Sequence, residues 1–284
     1  MLLLDGAAGV GKKALAMQVA DMLREGSNEP LIWLVPIDGK AEDRDTPAKI
    51  AANIASASGK MQKNPFHTGY ITESALISVG MVEWLMQNFV LVASGNRVVI
   101  IPNADQMNEE AANKLLKTFE EVPRNTYFIL TADSRHSMLK TIRSRAVCFA
   151  VPSITDSEVG EILLHFGYTS SESILEFAMG SAGRAMSAID SNYLELEKRI
   201  DDFIRFTENG DASAAILLCA GLEKSLNDTV FFLEGLALKI KKKIENNESK
   251  IERLYELQKV LSRLLAKKFT AEQALQNAAL RLAG

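Results

Sequence analysis

The stretch Gly6-Ala7-Ala8-Gly9-Val10-Gly11-Lys12-Lys13 constrains the fold more than any other part of this chain. It follows the apolar run Leu2-Leu3-Leu4 and precedes Leu15, Val19, Met22 and Leu23, a helical spacing that Gly26 closes. A strand, a glycine-rich turn and a helix in that order wrap backbone N–H groups and a helix N-terminus around a phosphate, and the residues follow G-x-x-x-x-G-K-[ST] up to the last position. Lys12 is the residue that would reach terminal phosphates. Lys13 stands where the pattern has the hydroxyl that ligates Mg²⁺, and a second ammonium there repels a divalent cation. The bland alternative, a glycine turn that only packs a strand on a helix, is disfavoured by this context. The chain opens directly on the unit, which leaves room for a further N-terminal segment.

Residues 30–37 (PLIWLVPI) read as a second strand, followed by a polar excursion from Asp38 to Thr72 that is helical around Pro47 to Ala57. From Ser78, Val79, Val82, Leu85, Met86 and Phe89 recur at helical spacing as far as Gly95. Val98 to Ile101 then form a β-branched strand, NEEAANKLLKTFEE a helix with Asn108 as N-cap, and TYFILTAD another strand. Strands alternating with helices predict an α/β domain with a parallel sheet covered on both faces. A nucleotide hydrolase of this plan ends its central strand in carboxylates that anchor Mg²⁺ and orient water; here it ends in Pro102-Asn103. Asp105, two residues on, reads as a loop or capping carboxylate. The pattern argues against hydrolysis.

After RSRAVCFAVP the chain is nearly all helix by pattern. TDSEVGEILLHFG, SSESILEFAMG and AGRAMSAIDSN make a compact trio, the first two opened by Thr or Ser caps and closed by glycine, and longer helices follow from Tyr193 as a separate bundle. The basic run Lys239 to Lys243 and the pair Lys267-Lys268 read as solvated helix faces.

At 284 residues and 47% apolar, the chain can bury the cores of two or three domains. A net charge of -4 excludes a uniformly basic nucleic-acid binder and leaves any DNA contact local. Cys148 and Cys219 sit in apolar surroundings and read as buried thiols in a reducing cytoplasm. No apolar run reaches the roughly 18 residues that span a bilayer, and MLLL lacks the flanks of a signal peptide, so neither export nor membrane insertion is expected.

The run VVIIPNADQMNEEAANKLLKTFEEVP, followed by NTYFILTADSRHSMLKTIRSR, resembles the clamp-loader branch of the AAA+ superfamily, and within it the delta-prime subunits of bacterial DNA polymerase III, whose nucleotide site is typically degenerate. The likeness is strong over the first half, moderate through GSAGRAM, and rests on helical character thereafter. It implies a RecA-like AAA+ domain over residues 1–151 with a degenerate nucleotide site, a three-helix lid over 152–193 and a helical collar over 194–284. Ser144-Arg145-Ala146 matches the family's Ser-Arg-Cys, so the resemblance makes Arg145 an arginine finger for the neighbouring subunit's ATP site. Arg143 alone reads as surface charge. Thr131 corresponds to the strand end where related ATPases place a polar γ-phosphate sensor. Active relatives carry an arginine at the position of Gly183, with Arg184 one place off. Many delta-prime subunits carry a four-cysteine zinc module in the first half; with no cysteine before Cys148, no zinc or other metal is expected, and His67 reads as a loop residue.

The resemblance therefore implies a non-hydrolysing loader subunit in the cytoplasm that helps place the sliding clamp on primed DNA. Its implied partners are the gamma/tau ATPase subunit, the delta subunit, the clamp and primer-template DNA. No cofactor is required, with ATP or ADP held unhydrolysed as the only candidate, on Gly6, Gly9, Gly11, Lys12 and Lys13. An active gamma/tau-like ATPase with unusual metal ligands is the alternative, and a binding module with no catalytic contribution is the third reading.

Overall fold

Strand β3 (Arg97–Ile101) is buried along its whole length, as the unbroken run of β-branched residues requires of a strand covered on both faces. In the computed structural model, which describes residues 1–37, 46–66, 77–89, 95–243 and 248–283, it belongs to a five-stranded sheet. The other strands are β1 (Leu2–Asp5), β2 (Leu31–Trp33), β4 (Thr126–Ala132) and β5 (Val147–Ala150), in the order β2-β3-β4-β1-β5. Every pairing is parallel; Leu2 stands opposite Ile129 on one side and Val147 on the other. Strand β2 is shorter than the expected residues 30–37, because Pro36 lacks the N–H that would continue the ladder beyond the bond from Leu34 N to the Ile100 carbonyl.

Alternate residues of each strand separate the core into two layers. Leu3, Val99, Ile101, Phe128 and Leu130 pack in one layer with Val82 and Leu85 of α3 (Val79–Phe89) and Leu115 and Phe119 of α4 (Glu109–Glu120). Leu4, Val98, Ile100 and Ile129 pack in the other with Ala16 and Ala20 of α1 (Lys12–Leu23). The spacing of α1 anticipates the helix but not which residues are buried: its closest face to the sheet is alanine, and Met22 is exposed. Helix α2 (Pro47–Lys63) is longer than the expected Pro47 to Ala57, and Asn108 caps α4 by accepting from Ala111 N at 2.8 Å. His67 and the expected excursion at 38–45 and 67–72 lie outside the described residues.

Contacts divide the chain into two units, Met1–Gly167 with Met179–Arg184, and Tyr168–Ala178 with Ala185–Gly284. That partition differs from the sequence division at 151 and 193, since the segment 152–193 is shared. The first unit also holds α5 (Lys140–Arg143) and α6 (Asp156–His165), which Thr155 and Glu158 open with a reciprocal capping box. Strand β5 follows α5 at the sheet's edge. The edge position leaves Val147 and Phe149 exposed and Cys148 half-buried, where the sequence predicts a buried thiol.

The second unit is helical throughout its described residues: α7 (Glu172–Ala178), most of α8 (Ala182–Asp190), α9 (Tyr193–Glu208), α10 (Ala212–Leu218), α11 (Leu226–Lys242), α12 (Glu248–Leu265) and α13 (Ala271–Ala283). Phe177 stacks on Tyr193, and Phe203 meets Phe232 edge-on. Gly235 lets α11 approach α9, because a Cβ there would lie 2.5 Å from the Tyr193 hydroxyl. The lysines of α11 are not simply a solvated face. Lys239 pairs with Glu197 and Asp201, Lys242 with Glu176, and Lys243 with Glu208. Cys219 is buried, and burial pushes its thiol up to about 12, which keeps it protonated. No helix of the described residues is long and apolar enough to cross a membrane.

Candidate functional site

The glycine loop leaves the C-terminal end of β1 and enters α1, the end of a parallel sheet where ligands of such folds bind. Gly9 and Gly11 have φ values of +76° and +102°, conformations that side chains rarely adopt. The loop is also tightly enclosed. A Cβ on Gly6 would lie 2.3 Å from the Val151 carbonyl oxygen, and one on Gly9 would lie 2.5 Å from Ser181 Oγ. Ser181 donates its hydroxyl to the Ala8 carbonyl at 2.8 Å, and Gly183 N donates to the Gly9 carbonyl at 3.0 Å. At Gly183, backbone thus meets backbone against the loop.

Lys12 is 6% exposed, and its ammonium donates to the Gly6 carbonyl (2.5 Å), the Ala7 carbonyl (2.8 Å) and Asp133 Oδ1 (2.9 Å). Those are the three bonds an ammonium can donate. Lys13 is partly buried beside it. Burial, and next the charge of Lys12, pull its ammonium down to about 8, with Asp133 opposing the change.

Asp133, the first residue beyond β4, does not stand out in the sequence. A carboxylate directly after a buried strand is the signal that could have found it. Its amide donates to Asp105 Oδ2 at 3.3 Å, and Ser137 donates its hydroxyl to the same oxygen at 3.2 Å. Asp105 is therefore a brace between two loops rather than a helix cap; burial and then the neighbouring Asp133 push its carboxyl up. Asn103 takes a left-handed conformation, which asparagine tolerates, and its amide donates to Thr131 Oγ1 at 3.1 Å. Thr131 is fully buried. Asp5, at the end of β1, is held by Arg135 through contacts of 2.9 and 2.8 Å.

The loop glycines, Lys12, Lys13, Thr131, Asn103 and Asp133 thus come together at one end of the sheet. These residues do not suit Mg²⁺. Lys13 occupies the hydroxyl position, Pro102-Asn103 follow β3 where carboxylates would be needed, the Asp133 carboxylate is already bound to Lys12, and no group of three metal-ligating side chains occurs among the described residues. The glycine turn at the start of α1 does suit an anion.

Arg145 lies elsewhere. It sits between α5 and β5, at the N-terminal end of the strands, while the loop leaves their C-terminal end. With about 3.3 Å of rise per residue, the four residues of β5 alone separate the two by roughly 13 Å. Arg145 is 36% exposed, donates to the Thr141 carbonyl at 3.1 Å, and pairs with the exposed Glu120 at 2.5 Å. Arg143 lies against the His136 ring at 3.3 Å.

Residues 1–155 match the sequence family described as "DNA polymerase III, delta subunit". Over 99 residues the chain is 38% identical to the DNA polymerase III subunit delta' of Haemophilus influenzae, covering 34% of this chain and 30% of that protein. Over 168 residues it is 26% identical to replication factor C subunit 5 of Saccharomyces cerevisiae, covering 57% of this chain and 46% of the relative. Each match spans less than half of the relative's own length. Among solved structures, a DNA polymerase III gamma subunit-related protein of Thermotoga maritima aligns over 99% of this chain and 93% of its own, with a TM-score of 0.54 and 13% identity, a likeness of fold alone.

Proposed function

The chain belongs to the family described as DNA polymerase III, delta subunit, and from that premise we propose that it is a non-hydrolysing, delta-prime-type clamp-loader subunit that lends Arg145 to a neighbour's ATP site. The single observation that carries this reading is the placement of Arg145. An exposed guanidinium at the far end of the sheet cannot reach its own loop, but it is free to face another chain. An arginine is the right group, because its planar fork is always charged and clamps phosphate oxygens as charge spreads in the transition state. Its ion pair with Glu120 joins two groups 36% and 51% exposed, worth about 0–1 kcal/mol, so a phosphate can replace the carboxylate at little cost.

On this reading the chain joins the gamma/tau ATPase subunit and the delta subunit, its helical unit entering a collar. Within that complex it meets the clamp and primer-template DNA in the cytoplasm. The proposed domains are those of the family: residues 1–151, 152–193 and 194–284. The test is the DNA- and clamp-stimulated ATPase of the reconstituted loader, wild type against Arg145→Ala. A large fall with assembly intact supports the reading; unchanged turnover overturns it.

The second reading, an ATPase with unusual metal ligands, draws on Asp105 and Asp133 beside the loop. The Lys12 ion pair to Asp133 and the position of Lys13 weigh against it. ATP turnover by the isolated chain that Lys12→Ala abolishes would establish it and overturn the first.

A further inference from the structure

Strand β5 ends the sheet with one side unpaired, and three kinds of group meet along it. In the parallel ladder with β1, Val147 N donates to the Met1 carbonyl at 3.1 Å and Val151 N to the Asp5 carbonyl at 2.7 Å. Alternate residues bond to β1, so Cys148 and Ala150 turn their N–H and C=O groups to the open edge, where no strand of the described residues meets them. The side chains alternate as well. Val147 and Phe149 stand opposite Leu2 and Leu4 on the α1 face of the sheet, 71% and 54% exposed. Cys148 and Ala150 stand opposite Leu3 and Asp5 on the other face, and that face is flanked by cations. Arg135 reaches Asp5 there, Arg143 lies against the His136 ring, and the Arg143 carbonyl is 4.0 Å from Cys148 Sγ. Arg143 and Lys140 have no acidic partner among the described residues.

A row of free N–H and C=O groups on an edge strand pairs best with another extended chain, whose side chains then alternate between the same two faces. One set meets Val147 and Phe149, and the other meets Arg143 and its neighbours. We infer that the open edge of β5 binds, by strand addition, an extended segment of another protein in which apolar residues alternate with acidic ones. The backbone ladder holds the segment, its apolar set covers Val147 and Phe149, and its acidic set fixes which face is which and hence the register. Charge selects this occupant over a second copy of the chain. Two β5 strands paired antiparallel about a twofold axis normal to the sheet would set the basic flank of one copy against the same flank of the other. The inference is independent of the role of Arg145 and of the glycine loop.

Fluorescence anisotropy of the full chain with a labelled peptide in which glutamate alternates with valine and phenylalanine tests the inference. One control peptide carries the same residues in block order, and another has lysine in place of glutamate. The alternating peptide is expected to bind with a Kd of about 10–100 μM, more weakly as salt rises, and each control about tenfold more weakly or not at all. Ala150→Pro removes an N–H that faces away from β1, so it spares the sheet and is expected to weaken binding about tenfold or more. Arg143→Glu is expected to weaken the glutamate peptide about fivefold and to strengthen the lysine peptide. The inference is overturned by no saturable binding of the alternating peptide, by equal affinity for either control, or by a folded Ala150→Pro chain with unchanged affinity. If Ala150→Pro fails to fold, Phe149→Ser, at an exposed position, takes its place with an expected loss of about fivefold. Self-association of the wild type in sedimentation that Phe149→Ser abolishes, without peptide binding, would give the edge to a second copy and overturn the inference as well. None of these measurements reads loader turnover, so a failure here leaves the proposed function standing.

Discussion

The two ends of the parallel sheet hold their charged groups in opposite ways. At the loop end, Lys12 has three partners, Asp5 two contacts from Arg135, and Asp105 a backbone amide and a hydroxyl. At the other end Arg145 has one half-exposed carboxylate and one carbonyl at a helix end. The loop end is over-determined, so changes there act first on the folded state of this chain. The Arg145 end is held weakly, so a change there acts on whatever replaces Glu120. Shape is maintained within the molecule at one end, and an exposed guanidinium is presented outward at the other.

Arg145→Ala is the sharpest way to break that comparison. In a reconstituted loader it is expected to lower stimulated ATP turnover by about 10²-fold or more, with Arg145→Lys recovering only part, because an ammonium lacks the planar fork. In the isolated chain the same substitution should shift stability by no more than about 1 kcal/mol in urea. A large loss of stability with little loss of loader turnover would reverse the assignment of the two ends.

Gly9→Val tests the opposite end. Its φ is +76°, and a Cβ there would stand 2.5 Å from Ser181 Oγ and 2.8 Å from Arg184 N, which leaves no relaxed place for a side chain. A loss of about 2–4 kcal/mol in urea denaturation is expected. Gly26→Ala is the internal control: its φ is +75°, yet nothing lies within 4 Å, so only the backbone strain of about 1 kcal/mol remains. Equal costs at the two glycines would show that conformation alone, and not enclosure of the loop, sets the effect.

Much of this difference is legible in the sequence. The strand-loop-helix order, the left-handed glycines and the buried strand Val98 to Ile101 follow from residue type and period, because they depend on neighbours along the chain. Asp133 does not follow, because its meaning comes from Lys12, 121 positions away in the sequence. The same holds for Ser181 and Gly183 against the loop, and for Glu120 against Arg145. Val147 to Ala150 is apolar throughout, and what the sequence does not show is its place at the sheet's edge, which leaves most of these side chains exposed. The presence of alanine rather than Met22 on the buried face of α1 shows the limit of periodicity, which gives a helix's spacing but not how closely it approaches a sheet.

Lys13 gives a smaller effect whose sign can be fixed in advance. Its ammonium titrates near 8 in the folded chain and at its ordinary value of 10.5 when unfolded. Between those values the unfolded chain binds more protons, so folding stability rises as pH increases from about 8 toward 10.5. Below pH 8 both states are charged and the penalty of burying the charge is present in full. Because Lys13 keeps some contact with solvent, that penalty is about 1–2 kcal/mol. Lys13→Thr should raise stability at pH 7 by that amount and flatten its rise with pH. A wild-type stability that falls through this window would mean that Lys13 is held as a cation by a carboxylate, and the loop end would then be electrically neutral.

The smallest effect is the most discriminating for the Arg145 end. Glu120→Gln keeps the shape of the partner but removes its charge. Since the pair is exposed on both sides, stability should change by no more than about 0.5 kcal/mol, and by less in high salt. On the proposed role of Arg145, loader turnover should stay the same or rise slightly, because the guanidinium would exchange this carboxylate for a phosphate. A fall approaching that of Arg145→Ala, with assembly intact, would show that Glu120 must orient the guanidinium before the neighbour arrives. The carboxylate would then be a positioning residue, and the weakly held end of the sheet would prove as pre-organised as the loop.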